Sequence, residues 1–488
     1  MTIDEHLTAI RGSEPGPRVG AFFDFDGTLI DGYSAAALYA HRLRNLELGL
    51  AEVLETARAM TGGPLSEAQF ADVVRRAAAG WAGRTVEDLD ELGDRIFRQR
   101  LAGQLFHDMW RVVKAHQRRG HTVVIASSAT RVQVQPFARE LGIEHVLCTE
   151  LEVVDGRYTG RIASRAPWGS GKIAAIQRFA ARAGIALPAS YGYANGDEDV
   201  PFLAGVGRPH AVNPQAALAS YAADHDWPVL RPARGPGRLD PMPLLRTTAM
   251  YGALVGAGAA GVAMGALTRR RRPSIDFAAS LFSHLAGAAG DIDITVWGEQ
   301  HLWSHRPAVF LVNHQSSLVD VLVTTTVLRA GFTAVVKREV ADIPVIGQLL
   351  TMADFAFIDR ADGDQARDVF ETAKQRLASG TSIAIAPEGT RSFSPQVGPL
   401  KKGAFHLAMQ AGVPLVPVVI RNAGELMWRQ ARTARTGTVE VVVHPPIPTA
   451  GWTRADLDRA VVAVQRLYQD TLEEWPGPDA EDHEGRDT

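Results

Sequence analysis

A chain of 488 residues is too long for one ordinary hydrophobic core, so two domains are expected. Its formal charge of −3 argues against a nucleic-acid binder, which carries a basic excess. The one cysteine, Cys148, precludes an internal disulfide and suits a reducing compartment, and Met1 to Arg18 has acidic residues and no apolar run, so it does not read as a signal peptide.

The first apolar run, Val19 to Phe23, empties into Asp24-Phe25-Asp26-Gly27-Thr28. Two carboxylates two residues apart at a strand end point to the same side if the strand persists, and the glycine lets the backbone turn under a bound group. This suits metal-assisted phosphoryl transfer, with Asp24 as nucleophile, Asp26 as acid and base, and Mg2+ offsetting the repulsion between carboxylate and phosphate. A second strand, Val123 to Ala126, leads to Ser127-Ser128. Gly169-Ser170-Gly171-Lys172 then precedes a helical stretch without the Walker spacing.

These motifs resemble the haloacid dehalogenase superfamily over about residues 18–225, most of all the subgroup containing phosphoserine phosphatase. The resemblance implies a Rossmann-like phosphatase domain over 1–230, a helical cap over about 33–115, a phosphate-binding Ser127 and a phosphate-holding Lys172. The family ends a late strand with two aspartates four apart, the first a metal ligand. Here Asn195 and Asp199 take those positions, so Asp24, Asp26, Asn195 and Asp199 are the expected metal set. Asn195 offers a neutral oxygen in place of a carboxylate, which weakens Mg2+ binding, and Asp197 substitutes if the loop shifts. The alternative is a non-catalytic binding or scaffold module whose metal site has decayed at Asn195.

Arg231 to Arg238, followed by Pro241 and Pro243, is rich in structure-breaking residues and reads as a linker over 231–246. Ala249 to Leu267 is uncharged and is followed by Arg269 to Arg272, the pattern of a membrane segment with its arginines on the cytoplasmic side. Gly252/Gly256 and Gly261/Gly265 repeat at four-residue spacing, as in close-packed membrane helices, and permit a homodimer. A single crossing would put the two domains on opposite sides, although both are expected to meet phosphorylated or CoA-linked substrates. A re-entrant or in-plane hairpin over 247–290 is therefore expected, its second arm presenting Ile275, Phe277, Leu281, Phe282 and Leu285.

An alternating strand, Asp291 to Trp297, opens the last domain, 291–475. Val309 to Val312 runs into Asn313-His314-Gln315-Ser316, and Ser382 to Ala386 runs into Glu388-Gly389-Thr390-Arg391. Moving an acyl group from a thioester to an alcohol takes a base, a group orienting it and cations for the acceptor. His314 is the candidate base, Asp320 the nearest downstream carboxylate to orient it, and Arg391 and Arg360 the candidate phosphate cations. Cys148 lies in the other half of the chain, so direct attack by the acceptor hydroxyl is simpler than a cysteinyl intermediate. Asp364 to Ala378 and Ala455 to Leu472 read as helices, His444 as structural, and the acidic residues 476–488 as a disordered tail.

Residues 295–450 resemble the glycerolipid acyltransferase family, in particular 1-acyl-glycerol-3-phosphate acyltransferases. The blocks Asn313-His314-Gln315-Ser316, Phe357-Ile358-Asp359-Arg360, Glu388-Gly389-Thr390-Arg391-Ser392 and Val413 to Val418 stand in the family's order, with Lys337 at a matching strand end. The resemblance implies acyl-CoA or acyl carrier protein as donor and a lysophosphatidate-like acceptor, with glycerol 3-phosphate or another alcohol as the alternative. It also implies that Glu388 positions its loop. The family spaces its aspartate five residues after the histidine, whereas His314 and Asp320 are six apart. A bulged first turn at Ser316-Ser317, both able to cap a helix, is expected to absorb the insertion. The whole reads as an α/β protein: a Rossmann-like domain with a helical cap, then an α/β acyltransferase domain behind a membrane-associating hairpin at the cytoplasmic face of the membrane.

Overall fold

The computed structural model describes residues 1–44, 66–232, 241–342, 346–352, 355–358, 363–429 and 431–475. The chain divides into two compact units, Met1–Gly235 and Pro236–Thr488.

The first unit begins with helix α1 (Ile3–Arg11), whose N-terminal amides are closed by a Thr2/Glu5 capping box. Its sheet is built from β1 (Gly20–Phe23), β2 (Thr122–Thr130), β3 (His145–Thr149), β6 (Tyr191–Ala194), β7 (Arg208–Val212) and β8 (Val229–Leu230), in the order β3-β2-β1-β6-β7-β8. All neighbours run parallel, so both faces must be covered, and β1 is buried along its whole length. Phe22, Val124, Ile176, Phe202 and Leu203 share one core. The order reverses at β1, and open α/β sheets bind ligands in the crevice at such a reversal. Beside the sheet, β4 (Leu151–Val154) and β5 (Arg157–Ile162) form a hairpin. Its Asp155-Gly156 turn takes positive φ at both residues.

The helices Ser34–Arg44, α2 (Glu67–Ala79) and Val86–Ile96 lie between β1 and β2 in sequence, where the cap is expected; residues 45–65 of that span lie outside the described residues. The cap is tied to the start of α3 (Ser170–Ala183). Glu67 accepts from the Ser170 amide at 3.1 Å and the Ser170 hydroxyl at 2.8 Å, and Phe70 stacks on Trp168 with centroids 5.0 Å apart.

The second unit opens with α4 (Pro241–Thr268) and α5 (Arg271–Gly290). Pro241 and Pro243, expected in the linker, start a helix instead, because the first turn has no use for the N–H that proline lacks. The two helices form an antiparallel hairpin: Gly261 lies against Ser274 and Ala278, and Gly290 against Met250. Glycine permits the close approach, since a methyl group at Gly261 would stand 2.7 Å from the Ala278 Cβ. A Cβ added at Gly252 or Gly256 would meet nothing within 4 Å beyond its own helix among the described residues.

Behind the hairpin lies a seven-stranded sheet of β9 (Ile292–Trp297), β10 (Val309–Val312), β11 (Phe332–Lys337), β12 (Ala356–Ile358), β13 (Ser382–Ile385), β14 (Leu415–Ile420) and β15 (Gly437–Val443). Its order is β12-β11-β13-β10-β14-β15-β9, with β14 and β15 antiparallel and the other neighbours parallel. Met250, Ala257, Phe282 and Ala286 of the hairpin join Phe310, Leu322 and Val416 in one core, so the hairpin is part of this unit's packing. Its other side shows Leu244, Leu245, Val255, Val262, Leu267 and Phe277 to the outside. By length and composition, α4 suffices to cross a bilayer.

Candidate active sites

In the first unit, Asp24 follows β1 and Asn195 follows the neighbouring strand β6, so both sit at the same edge of the sheet. Buried Asp24 receives the Lys172 ammonium on Oδ1 at 2.8 Å, and the same nitrogen lies 2.6 Å from Asp199 Oδ1. Burial works against the Lys172 charge, but the Asp199 and Asp24 carboxylates outweigh it and hold the ammonium above its ordinary range. One cation shared by two carboxylates leaves the deeper one short of charge, and burial pushes Asp199 upward. Ser127 is buried near the end of β2, its hydroxyl accepting from the Ala129 amide at 3.1 Å.

Asp26 turns toward the cap. Its Oδ1 accepts from the Ser34 amide at 2.7 Å and its Oδ2 from the Ser34 hydroxyl at 3.1 Å. Burial, partly offset by these bonds, pushes Asp26 up to about 7. Nothing in the spacing singled out Ser34; it becomes visible only when the first cap helix folds back on the loop.

The carboxylates expected around the metal already have protein partners. Asp26 is committed to Ser34, Asp199 to Lys172, and Asp197 accepts from the Leu218 amide at 2.8 Å, capping a helix. Among the described residues no three His, Cys, Asp or Glu side chains converge on one point. Asn195 packs over Gly27, where a Cβ would stand 2.2 Å from its Nδ2, and its Oδ1 lies 3.2 Å from the Thr28 hydroxyl. A hard divalent cation takes oxygen donors, and Asp24 and Asn195 offer two at neighbouring strand ends, a donor type that fits Mg2+.

In the second unit, the loop after the central strand β10 carries the candidate base. Asn313 anchors the loop's start, its side chain bonding the Ile420 amide at 2.6 Å and the Ile420 carbonyl at 2.8 Å on β14. His314 Nδ1 lies 2.7 Å from Asp320 Oδ2. That same oxygen accepts from the amides of Gln315 at 2.9 Å and Ser316 at 2.8 Å. The loop thus wraps around the carboxylate at the start of α6 (Leu318–Leu328), which takes up the additional residue. The expected serine caps are not formed: the Ser316 hydroxyl is buried without a partner among the described residues, and the Ser317 hydroxyl accepts from Arg391. With Nδ1 on a carboxylate, a neutral His314 ring carries its lone pair on Nε2, the nitrogen left for chemistry.

The neighbouring strand β13 delivers the second loop. Glu388 Oε1 accepts from the His314 amide at 2.8 Å and Oε2 from the Gly398 amide at 3.0 Å, while Ser392 donates its amide to the His314 carbonyl at 3.0 Å. Burial pushes Glu388 up to about 7, the two amide bonds opposing it. Gly389 takes φ 72°, a turn that a side chain would strain, and Thr390 is exposed. Arg391 reaches back to Ser317 and to the Arg429 carbonyl at 2.7 Å. Arg360 lies outside the described residues, as does the side chain of Lys337, which ends β11. His444 bonds the Thr471 hydroxyl at 2.8 Å, away from both loops.

Comparison with known proteins matches the two units separately. A haloacid dehalogenase-like hydrolase model matches residues 21–204, and an acyltransferase model matches residues 293–421. A "probable phosphatase" of Mycobacterium tuberculosis is 32% identical over 270 residues, 53% of this chain and 92% of that protein. An uncharacterised acyltransferase of Schizosaccharomyces pombe is 34% identical over 199 residues, 40% of this chain and 71% of that protein. The 1-acyl-sn-glycerol-3-phosphate acyltransferase of Saccharomyces cerevisiae is 29% identical over 236 residues, 47% of this chain and 77% of that protein. The chain is therefore a fusion that belongs to the haloacid dehalogenase-like hydrolase family in its first half and to the acyltransferase family in its second.

Proposed function

We propose that the second unit transfers an acyl chain from acyl-CoA, or from acyl carrier protein, to the free hydroxyl of a lysophosphatidate-like acceptor. The observation that carries this is the His314–Asp320 contact at 2.7 Å, at the end of a strand whose neighbour supplies Glu388 and Arg391. His314 Nε2 takes the acceptor's hydroxyl proton as the oxygen attacks the thioester carbonyl. An ester bond forms, the carbon–sulfur bond breaks, and the imidazolium returns the proton to the leaving thiolate. Asp320 stabilises the transient imidazolium, and Glu388 fixes the peptide that carries it. Arg391 holds the acceptor's phosphate with its planar fork, and Arg360 and Lys337 are further candidates for that grip.

The exposed apolar side of the α4–α5 hairpin lies in the plane of the membrane at its cytoplasmic face. It brings the lipid acceptor to the enzyme without carrying the two units to opposite sides. Arg269 to Arg272, at the hairpin's turn, meet anionic headgroups.

The first unit is a phosphomonoesterase in which Asp24 attacks phosphorus and Asp26, poised at about 7, protonates the departing alcohol. Ser127 and Lys172 hold the phosphate. Mg2+ held by Asp24 and Asn195 would offset the repulsion between Asp24 and the incoming phosphate. The carboxamide at Asn195 favours a second reading, a binding module without turnover.

Two assays test these readings. Membrane fractions carrying the chain, given acyl-CoA and lysophosphatidate, should form phosphatidate, and His314→Ala should abolish it. An unaltered chain inactive on every phosphate-bearing acceptor would overturn the assignment. Hydrolysis of a generic phosphomonoester, lost in Asp24→Asn, would exclude the binding-module reading, and no hydrolysis at any Mg2+ concentration would establish it.

A further inference from the structure

We propose that Arg429 is the second cation of the phosphate-gripping site, acting with Arg391 as a two-guanidinium clamp on the acceptor; this rests on the acyltransferase reading above. The two arginines come from different loops, Arg391 from the one leaving β13 and Arg429 from the one following β14. Each holds the other's main chain: Arg391 Nη1 donates to the Arg429 carbonyl at 2.7 Å, and Arg429 Nη1 donates to the Arg391 carbonyl at 2.7 Å. Arg391 also donates to the Ser317 hydroxyl, in the loop that carries His314, so the pair belongs to the same loop cluster as the base.

This arrangement is short of negative charge. Among the described residues neither guanidinium has a carboxylate within ion-pair distance, and Arg429 Nε is buried without a hydrogen-bond partner. The carboxylate whose field reaches Arg391 belongs to Asp320, and its Oδ2 is already engaged by His314 and two loop amides. Burial lowers both guanidiniums from their ordinary range, and for Arg429 the charge of Arg391 adds to the effect. The Phe393 ring, 4.0 Å from the Arg429 guanidinium carbon, supports one face of that plane.

Two partly desolvated like charges held side by side cost stability and become favourable when an anion supplies the missing charge. A phosphate monoester matches both the charge and the fork geometry of paired guanidiniums. The phosphate comes either from the acceptor or from coenzyme A. The link through Ser317 to the base loop assigns it to the acceptor, whose hydroxyl must reach His314.

The test varies lysophosphatidate and acyl-CoA separately for the unaltered chain, Arg429→Gln and Arg429→Lys, with thermal unfolding as a check on folding. Arg429→Gln should raise the KM for lysophosphatidate about tenfold or more, as loss of a charged hydrogen bond does, with kcat changed less than about threefold. The KM for acyl-CoA should stay unchanged, and Arg429→Lys should regain part of the loss. A rise in the acyl-CoA KM alone would assign the pair to coenzyme A and overturn the acceptor clamp. An unchanged KM for both substrates would overturn it as well.

A second arm needs neither turnover nor a variant: phenylglyoxal labelling of the unaltered chain, mapped by mass spectrometry, with and without glycerol 3-phosphate. Joint protection of Arg391 and Arg429 supports the clamp, and protection of Arg391 alone overturns it. Because this arm reads binding directly, a failed clamp is distinguishable from a wrong choice of acyl acceptor.

Discussion

Asp320 Oδ2 receives three donors at once: His314 Nδ1 at 2.7 Å and the amides of Gln315 and Ser316. One oxygen therefore orients the His314 ring and folds the loop that carries it. Asp320→Asn keeps the volume but gives up charge, and it presents either an amide donor or a weaker acceptor to these groups. Acyl transfer should fall about 10²–10⁴-fold in kcat with little change in either KM. A loss confined to KM would show that the carboxylate serves binding and that another group orients His314.

Glu388 accepts one amide on each oxygen, and glutamine can accept with only one of its two terminal atoms. Glu388→Gln should set an N–H against an N–H, at a cost of about 1–3 kcal/mol, and shift the His314 peptide. Reduced kcat together with a lower unfolding temperature is expected. Wild-type kinetics in this variant would mean that the two amides find other acceptors.

In the proposed phosphomonoesterase Asp26, pushed up to about 7, serves as the acid. Below that pH it carries the proton that the leaving alcohol needs, so phosphomonoester hydrolysis limited by phosphoryl transfer should decline as pH rises through about 7. Asp26→Asn should remove this limb of the profile along with most of the activity. Asn195→Asp restores a charged oxygen and should lower the Mg2+ concentration for half-maximal activity by about tenfold. No change on adding that carboxylate would place Asn195 outside the cation's reach.

Four histidines gather under the first sheet. His6 and His116 both bond the Tyr193 hydroxyl, at 2.8 and 2.7 Å, His116 bonds His121 at 2.8 Å, and His6 packs on His210 with centroids 4.2 Å apart. Tyr191 and Arg208 complete the cluster. Burial lowers all four, His6 to about 4 from an ordinary value of 6.5. A depressed folded value means that the unfolded chain binds the extra proton first, so stability is full above pH 6.5 and drains as pH falls toward 4. His6 alone contributes about 3 kcal/mol to that loss. Urea unfolding of the first unit between pH 7.5 and 4.5 should show it, and His6→Phe should flatten part of the slope.

The hairpin glycines separate into two kinds. Gly261 lies against Ala278 and Ser274, whereas a Cβ at Gly252 would meet no other described residue within 4 Å outside its own helix. Gly261→Leu should pry the helices apart and reduce both the yield of folded protein and its unfolding temperature. Gly252→Ala should be neutral or stabilise by up to about 1 kcal/mol through helix propensity. Equal damage at both positions would point to a second surface packed on Gly252.

The two candidate loops of the second unit are legible in the sequence because each is a polar cluster at the end of an apolar strand, and parallel sheets place such ends along one edge. His314 and Glu388 come together for that reason in the second unit, and Asp24 and Asn195 stand at neighbouring strand ends in the first. Three details lay beyond spacing. Ser34 reaches Asp26 only once the cap helix folds back, and Asp320 takes up the longer spacing by accepting loop amides, which a helical wheel does not represent. Arg429 follows a strand with no motif of its own and meets Arg391 through guanidinium-to-carbonyl bonds across 38 residues. Pro241 read as a breaker because composition alone does not distinguish a linker from a helix's first turn.

The strand that leaves the hairpin, Ile292–Trp297, pairs with Gly437–Val443, the last strand of the sheet to be synthesised. During translation the two apolar helices thus emerge long before the edge that will anchor them exists. In that interval their exposed side chains must be shielded by something other than the finished sheet. Folding of the second unit is therefore not complete until Gly437–Val443 has been made, and slower synthesis of residues 298–436 would lengthen the wait.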